Sequence, residues 1–117
     1  MLDHQGWKSR AASLRFRHQA FIDGAFTDAL SGKTFDSINP ATGEVLAQVA
    51  ECDAADVDRA VTAARRAFED GRWSRQPPAA RKAVLLKLAD LLREDLHELA
   101  LLDSLDMGKL VRDAATI

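Results

Sequence analysis

With 117 residues, 47% of them hydrophobic and 29% charged, the chain has the make-up of a globular protein and the length of one ordinary domain. A formal net charge of -2 lacks the basic excess of a general nucleic-acid binder, and no apolar run approaches the roughly 20 residues that span a bilayer. One cysteine, Cys52, excludes a disulfide framework or a four-cysteine zinc site within one chain and makes a reducing, cytoplasmic setting the default.

Residues 1–19 are basic, with Lys8, Arg10, Arg15 and Arg17 against Asp3 alone. They lack the continuous apolar stretch of a secretory signal. Their arginine, serine and alanine content also suits a mitochondrial transit peptide. A surface helix with Trp7, Ala11 and Leu14 on one face is the better reading.

Residues 20–52 read as short strands. Asp23-Gly24 between Phe21-Ile22 and Ala25-Phe26 is a tight-hairpin signal, because glycine accepts a positive φ. Ser31-Gly32-Lys33 is a second turn, Thr34 to Ile38 is extended, and Asn39-Pro40-Ala41-Thr42-Gly43 is the next reversal. Val45, Ala47 and Val49 alternate with Leu46, Gln48 and Ala50 as in a strand with two moderately apolar faces.

A helix follows over about 54–70, with Asp53 as N-cap, Asp56 and Asp58 near its positive end, and Gly71 just past its C-terminus. Val57, Ala60, Val61, Ala64 and Phe68 form its apolar stripe. A long helix is then predicted from Pro78 to Met107, roughly 45 Å at 1.5 Å per residue, with Gly108 interrupting it. Leu85, Leu88, Leu92, Leu96 and Leu99 lie in one narrow arc. Burying five leucines contributes roughly 8–15 kcal/mol before entropy is subtracted. That rivals the net stability of a domain, so the stripe requires a substantial partner surface.

After Gly108, the spacing of Leu110, Val111, Ala114 and Ile117 predicts a further helix with no closing residue before the chain ends. Two turns of helix hold poorly in water without cover. The expectation is therefore the opening segment of a longer protein.

Chemistry is sparse. Cys52 precedes a helix N-terminus, which favours a thiolate, but Glu51 and Asp53 flank it and disfavour one. His4, His18 and His97 show no ligand spacing, and His97 reads as solvated among charges. Asp90, Glu94, Asp95 and Glu98 alternate with Lys87 and Arg93 as on an exposed helix face. The glycines form neither a dinucleotide fingerprint nor a phosphate loop. Trp73, between Arg72 and Arg75, reads as a tryptophan folded onto the core beneath a capped loop. No catalytic and no cofactor-binding residue emerges.

Five motifs in register nonetheless resemble the start of the NAD(P)-dependent aldehyde dehydrogenase superfamily. These are Phe21-Ile22-Asp23-Gly24, Asn39-Pro40-Ala41-Thr42-Gly43-Glu44, Asp56-Val57-Asp58-Arg59-Ala60-Val61 with Ala63-Ala64-Arg65, Leu88-Ala89-Asp90-Leu91-Leu92, and Leu105-Asp106-Met107-Gly108-Lys109. The basic leader with Trp7 and the Ser-Leu-Asp-Met-Gly-Lys run look closest to the γ-glutamyl-γ-aminobutyraldehyde dehydrogenases of putrescine breakdown. Leu110 departs from the family, which usually has proline there.

The resemblance implies an α/β fold for the full-length enzyme. For this segment it implies α+β: an N-terminal helix, short antiparallel strands, two amphipathic helices and the start of a third. Residues 1–19 would be a leader helix, and 20–117 the N-terminal part that packs with the cofactor-binding domain. It implies oxidation of an aldehyde to an acid through a cysteine thiohemiacetal, with NAD or NADP taking the hydride and a homo-oligomer as the working form. The nucleophile and cofactor site would lie beyond this chain, so the chain alone is expected to be inactive and to hold no cofactor tightly. A structural monovalent cation would be bound at Ser37, Ile38 and Asp106. The alternative reading is a non-catalytic helical module that dimerises through the leucine stripe.

Overall fold

The computed structural model describes residues 2–116. Its elements in chain order are α1 (His4–Ser13), β1 (Ala20–Ile22), β2 (Ala25–Thr27), β3 (Thr34–Ile38), β4 (Val45–Ala50), α2 (Ala54–Glu69), α3 (Pro78–Glu94), α4 (Leu96–Met107) and α5 (Val111–Ala114). This is the expected α+β order. The strands form two separate pairs, β1 with β2 and β3 with β4. Among the described residues, no helix is long and apolar enough to cross a membrane.

The chain divides into two compact units. One draws on the N-terminal stretch up to Arg17, on Asp36–Ala47 and on the chain from Asp90 onward; the other on His18–Phe35 and Gln48–Ala89.

The core of the first unit is built on Trp7. Asp3 caps α1 by accepting the Gly6 N–H at 2.7 Å, and the helix then delivers Trp7 onto Ala100 and Leu101 of α4. Ala11 and Leu14 border the same cluster, so the apolar face anticipated for the leader is present and covered. Trp7 is only 8% exposed, and its ring meets His97 edge-on at 5.2 Å between centroids. His97 is thus half-buried against an aromatic neighbour rather than solvated, because α4 turns it toward the leader helix.

The second unit is organised by the β1–β2 hairpin and α2. Ala20 pairs with Thr27 and Ile22 with Ala25, antiparallel. Asp23 and Gly24 both adopt positive φ, 53° and 79°, which matches the right-handed twist of the flanking strands. At α2 a full capping box forms: the Asp53 carboxylate accepts the Ala55 N–H, while Asp56 accepts the Asp53 N–H at 3.2 Å. Asp56 also accepts the Leu30 N–H at 3.0 Å and pairs with Arg59 at 3.2 Å, which explains how a carboxylate only 1% exposed is tolerated.

Three further expectations are corrected. The helix predicted from Pro78 to Met107 is two helices broken at Asp95, whose φ of -94° and ψ of 10° leave the helical region. Aspartate is a poor interior helix residue because its side chain competes for backbone hydrogen bonds. The predicted helix over 110–117 is a single turn, Val111–Ala114, in keeping with the weakness of so short a helix; Ile117 lies outside the described residues. The α2 stripe is largely uncovered, with Phe68 61% exposed, while the face bearing Asp56, Arg59 and Ala63 is the one turned inward. Trp73 is 42% exposed rather than folded onto a core; the loop closes instead through Arg72 on Asp70 and through Arg75, which donates to the Glu69 carbonyl.

The leucines of α3 have no cover. The helix contains no buried residue, and Leu85, Leu88 and Leu92 are all exposed.

Candidate cation site

The three residues expected at a cation site lie in the first unit, on two elements far apart in sequence. Ser37 and Ile38 end β3, and Asp106 is in the last turn of α4. The Ser37 hydroxyl donates to Asp106 Oδ1 at 2.5 Å, so strand end and helix end are brought together. Ile38 follows with its side chain exposed. Lys109 pairs with Asp103 at 3.8 Å, not with Asp106.

Two features hold this junction, each read from the sequence as a local turn or helix end but not as neighbours of one another. The first is the turn after β3. Asn39 is buried; its Oδ1 accepts the Ala41 N–H at 2.9 Å, its backbone oxygen accepts the Gly43 N–H at 2.8 Å, and its N–H donates to the Glu44 oxygen at 2.9 Å. A side-chain acceptor two residues ahead of its donor is the signature of an Asx turn, legible in Asn-Pro followed by small residues. The second is Gly108, which closes α4 in the left-handed region at φ 77° and lies against Pro40 of that turn.

The side-chain groups brought together here, the Ser37 hydroxyl and the Asp106 carboxylate, are oxygen donors, the type a hard cation takes. Among the described residues, no three histidine, cysteine or acidic side chains group to hold a metal.

Elsewhere several charged side chains pair within the chain, although among the described residues the Nε atoms of Arg59 and Arg81 are buried without a partner. A cleft of about 470 Å³ between the β1–β2 hairpin and α2 is lined by Asp23, Thr27, Arg59, Thr62 and Arg66 among others. Arg66 meets Asp23 at 2.6 Å and Arg59 meets Asp56 at 3.2 Å, so both arginines of the cleft are engaged by carboxylates. Asp90 and Arg93 pair at 3.1 Å on an exposed face, as the charge pattern suggested. Arg72 donates to Asp70 through its side chain and its backbone N–H and holds that carboxyl below its usual range. Cys52 is a free, exposed thiol.

The sequence model of the aldehyde dehydrogenase family matches residues 26–116. An aminoacetaldehyde dehydrogenase of Pseudomonas aeruginosa is 58% identical over 113 residues, which is 97% of this chain and 23% of that protein. The NADP/NAD-dependent aldehyde dehydrogenase PuuC of Escherichia coli is 47% identical over 91% of this chain and 21% of its own length. Among solved structures, a γ-glutamyl-γ-aminobutyraldehyde dehydrogenase from Burkholderia cenocepacia superposes with a TM-score of 0.97 at 53% identity, over 99% of this chain and 24% of that one. A P. syringae indole-3-acetaldehyde dehydrogenase variant in complex with NAD+ and IAA gives 0.97 at 50% identity, over 100% of this chain and 24% of that one. The chain thus spans about a quarter of the length of these relatives, and relatives named for different aldehydes match comparably. That family match over 26–116, with the superpositions along essentially the whole chain, shows that the chain belongs to the aldehyde dehydrogenase family.

Proposed function

We propose that this chain serves as the N-terminal structural segment of an NAD(P)-dependent aldehyde dehydrogenase, which oxidises an aldehyde to a carboxylic acid. Residues 20–117 pack against the cofactor-binding domain, and residues 1–19 brace them as a leader helix. Ser37, Ile38 and Asp106 contribute oxygens to a structural monovalent cation that ties the end of β3 to the end of α4. The resemblance to γ-glutamyl-γ-aminobutyraldehyde dehydrogenases makes γ-glutamyl-γ-aminobutyraldehyde the candidate substrate, and the working form is a cytoplasmic homo-oligomer.

One observation carries this reading: the chain superposes along its whole length on a quarter of a dehydrogenase while the apolar faces of α2 and α3 stay uncovered. Exposed apolar surface on that scale marks an interaction site, and the rest of a dehydrogenase supplies a matching one. Cys52 is not the nucleophile of this reading, since its surroundings of Glu51 and Asp53 are acidic. The purified chain, mixed with aldehyde and NAD+ or NADP+, is expected to give no NADH or NADPH above background. Turnover by the chain alone would overturn the assignment of a purely structural role.

A further inference from the structure

The Asp106 carboxylate sits on a helix end, and helix ends move unless something fixes them. Gly108 is the closing residue of α4, donating its N–H to the Ser104 oxygen at 3.1 Å. Its positive φ is one constraint; the second is lateral. A Cβ placed at position 108 would lie 3.2 Å from Pro40 Cγ, closer than ordinary van der Waals contact. Pro40 cannot easily yield, because it opens a turn tied to itself through both the side chain and the backbone of Asn39. Three residues before Pro40 stands Ser37; two residues before Gly108 stands Asp106; and those two are hydrogen-bonded at 2.5 Å. The strand end and the helix end therefore meet at two points, Pro40 against Gly108 and Ser37 against Asp106.

We infer that the close approach of Pro40 to Gly108 sets the distance between the Asp106 carboxylate and the end of β3, so that these two residues position the oxygens of the cation site without touching the ion. The inference rests on the cation reading above. A side chain at 108 makes the turn or the helix end give by a few tenths of an ångström, and the Ser37–Asp106 contact joins the strand end before that turn to the same helix end. Residues that orient metal ligands from outside typically change metal affinity about 10- to 100-fold when altered.

The test uses the full-length dehydrogenase and the rise in its melting temperature as KCl or NaCl replaces N-methylglucamine chloride at constant ionic strength. This is a binding readout independent of turnover. Asparagine tolerates the left-handed conformation, so Gly108→Asn keeps the helix cap while adding a Cβ toward Pro40. Its half-saturating cation concentration should rise about tenfold or more. Combining it with Pro40→Ala, which removes the opposing Cγ, should restore most of the wild-type response; Asp106→Asn should abolish it. A Gly108→Asn response equal to wild type, with Asp106→Asn abolished, overturns the positioning role alone. Failure of Pro40→Ala to restore the response overturns the close contact as its cause. A wild-type enzyme with no cation response overturns the cation reading and this inference with it.

Discussion

Asp56 offers the sharpest test of how the second unit is held, because its carboxylate serves three donors while only 1% exposed. Asp56→Ala removes half of the capping box at α2, worth about 1 kcal/mol. It also strands the Leu30 N–H, which the carboxylate accepts at 3.0 Å, at a cost of about 1–3 kcal/mol. The pair with Arg59 adds little, since the arginine reaches solvent. The expected loss is thus about 2–4 kcal/mol. Asp56→Asn retains one acceptor but sets an amide against the Asp53 N–H, and should lose about half as much. Urea unfolding measures the total. Hydrogen exchange at the Leu30 amide reports the local part, and should accelerate at least about tenfold in the alanine variant. A loss within about 0.5 kcal/mol for Asp56→Ala, with Leu30 still protected, would refute the role given to this carboxylate.

Trp7→Ala empties the largest side chain from the core shared by α1, α4 and α5, and should lower stability by about 3–5 kcal/mol in thermal melts while opening the first turns to protease. Gly24→Ala forces a side chain into a positive φ of 79° and should cost about 1–2 kcal/mol, although nothing lies within 4 Å of the added carbon. Asp70 has its carboxyl held down in the folded state, first by the Arg72 side chain and then by the Arg72 N–H. A depressed folded value means that its contribution is present above the ordinary carboxylate range and is lost as pH falls through the lowered value. Arg72→Ala should raise the Asp70 titration midpoint toward the ordinary value in a carbonyl-detected NMR titration; an unchanged midpoint would contradict that cause.

Local chemistry was legible in the residues themselves. Asp-Gly produced its hairpin, Asn-Pro its reversal, Asp53 its cap and Gly108 the end of α4, because each depends on neighbours within a few positions. The break at Asp95 was not legible, since the leucine spacing continues across it and the backbone ladder persists, Leu99 donating to the Asp95 oxygen at 3.0 Å. His97 and Trp73 were misplaced for a related reason: whether a ring is buried depends on which element lies opposite, and Trp7 is 90 positions away from His97. The importance of Asp56 was half visible in the Asp-x-x-Asp spacing of a capping box, but its bond to Leu30 joins residues 26 apart. Ser37 and Asp106, 69 apart, were paired only through family resemblance, and Pro40 with Gly108 only by the folded chain.

The central claim is that the apolar faces of α2 and α3 exist to be covered by the rest of a dehydrogenase. Leu88→Lys with Leu92→Lys tests it most directly, since both leucines are exposed here at 50% and 44%. In this chain the double variant should leave circular dichroism and solubility unchanged or improved. In the full-length enzyme it should abolish aldehyde-dependent NADH or NADPH formation and yield aggregated protein. A full-length double variant with wild-type activity and melting temperature would contradict the claim.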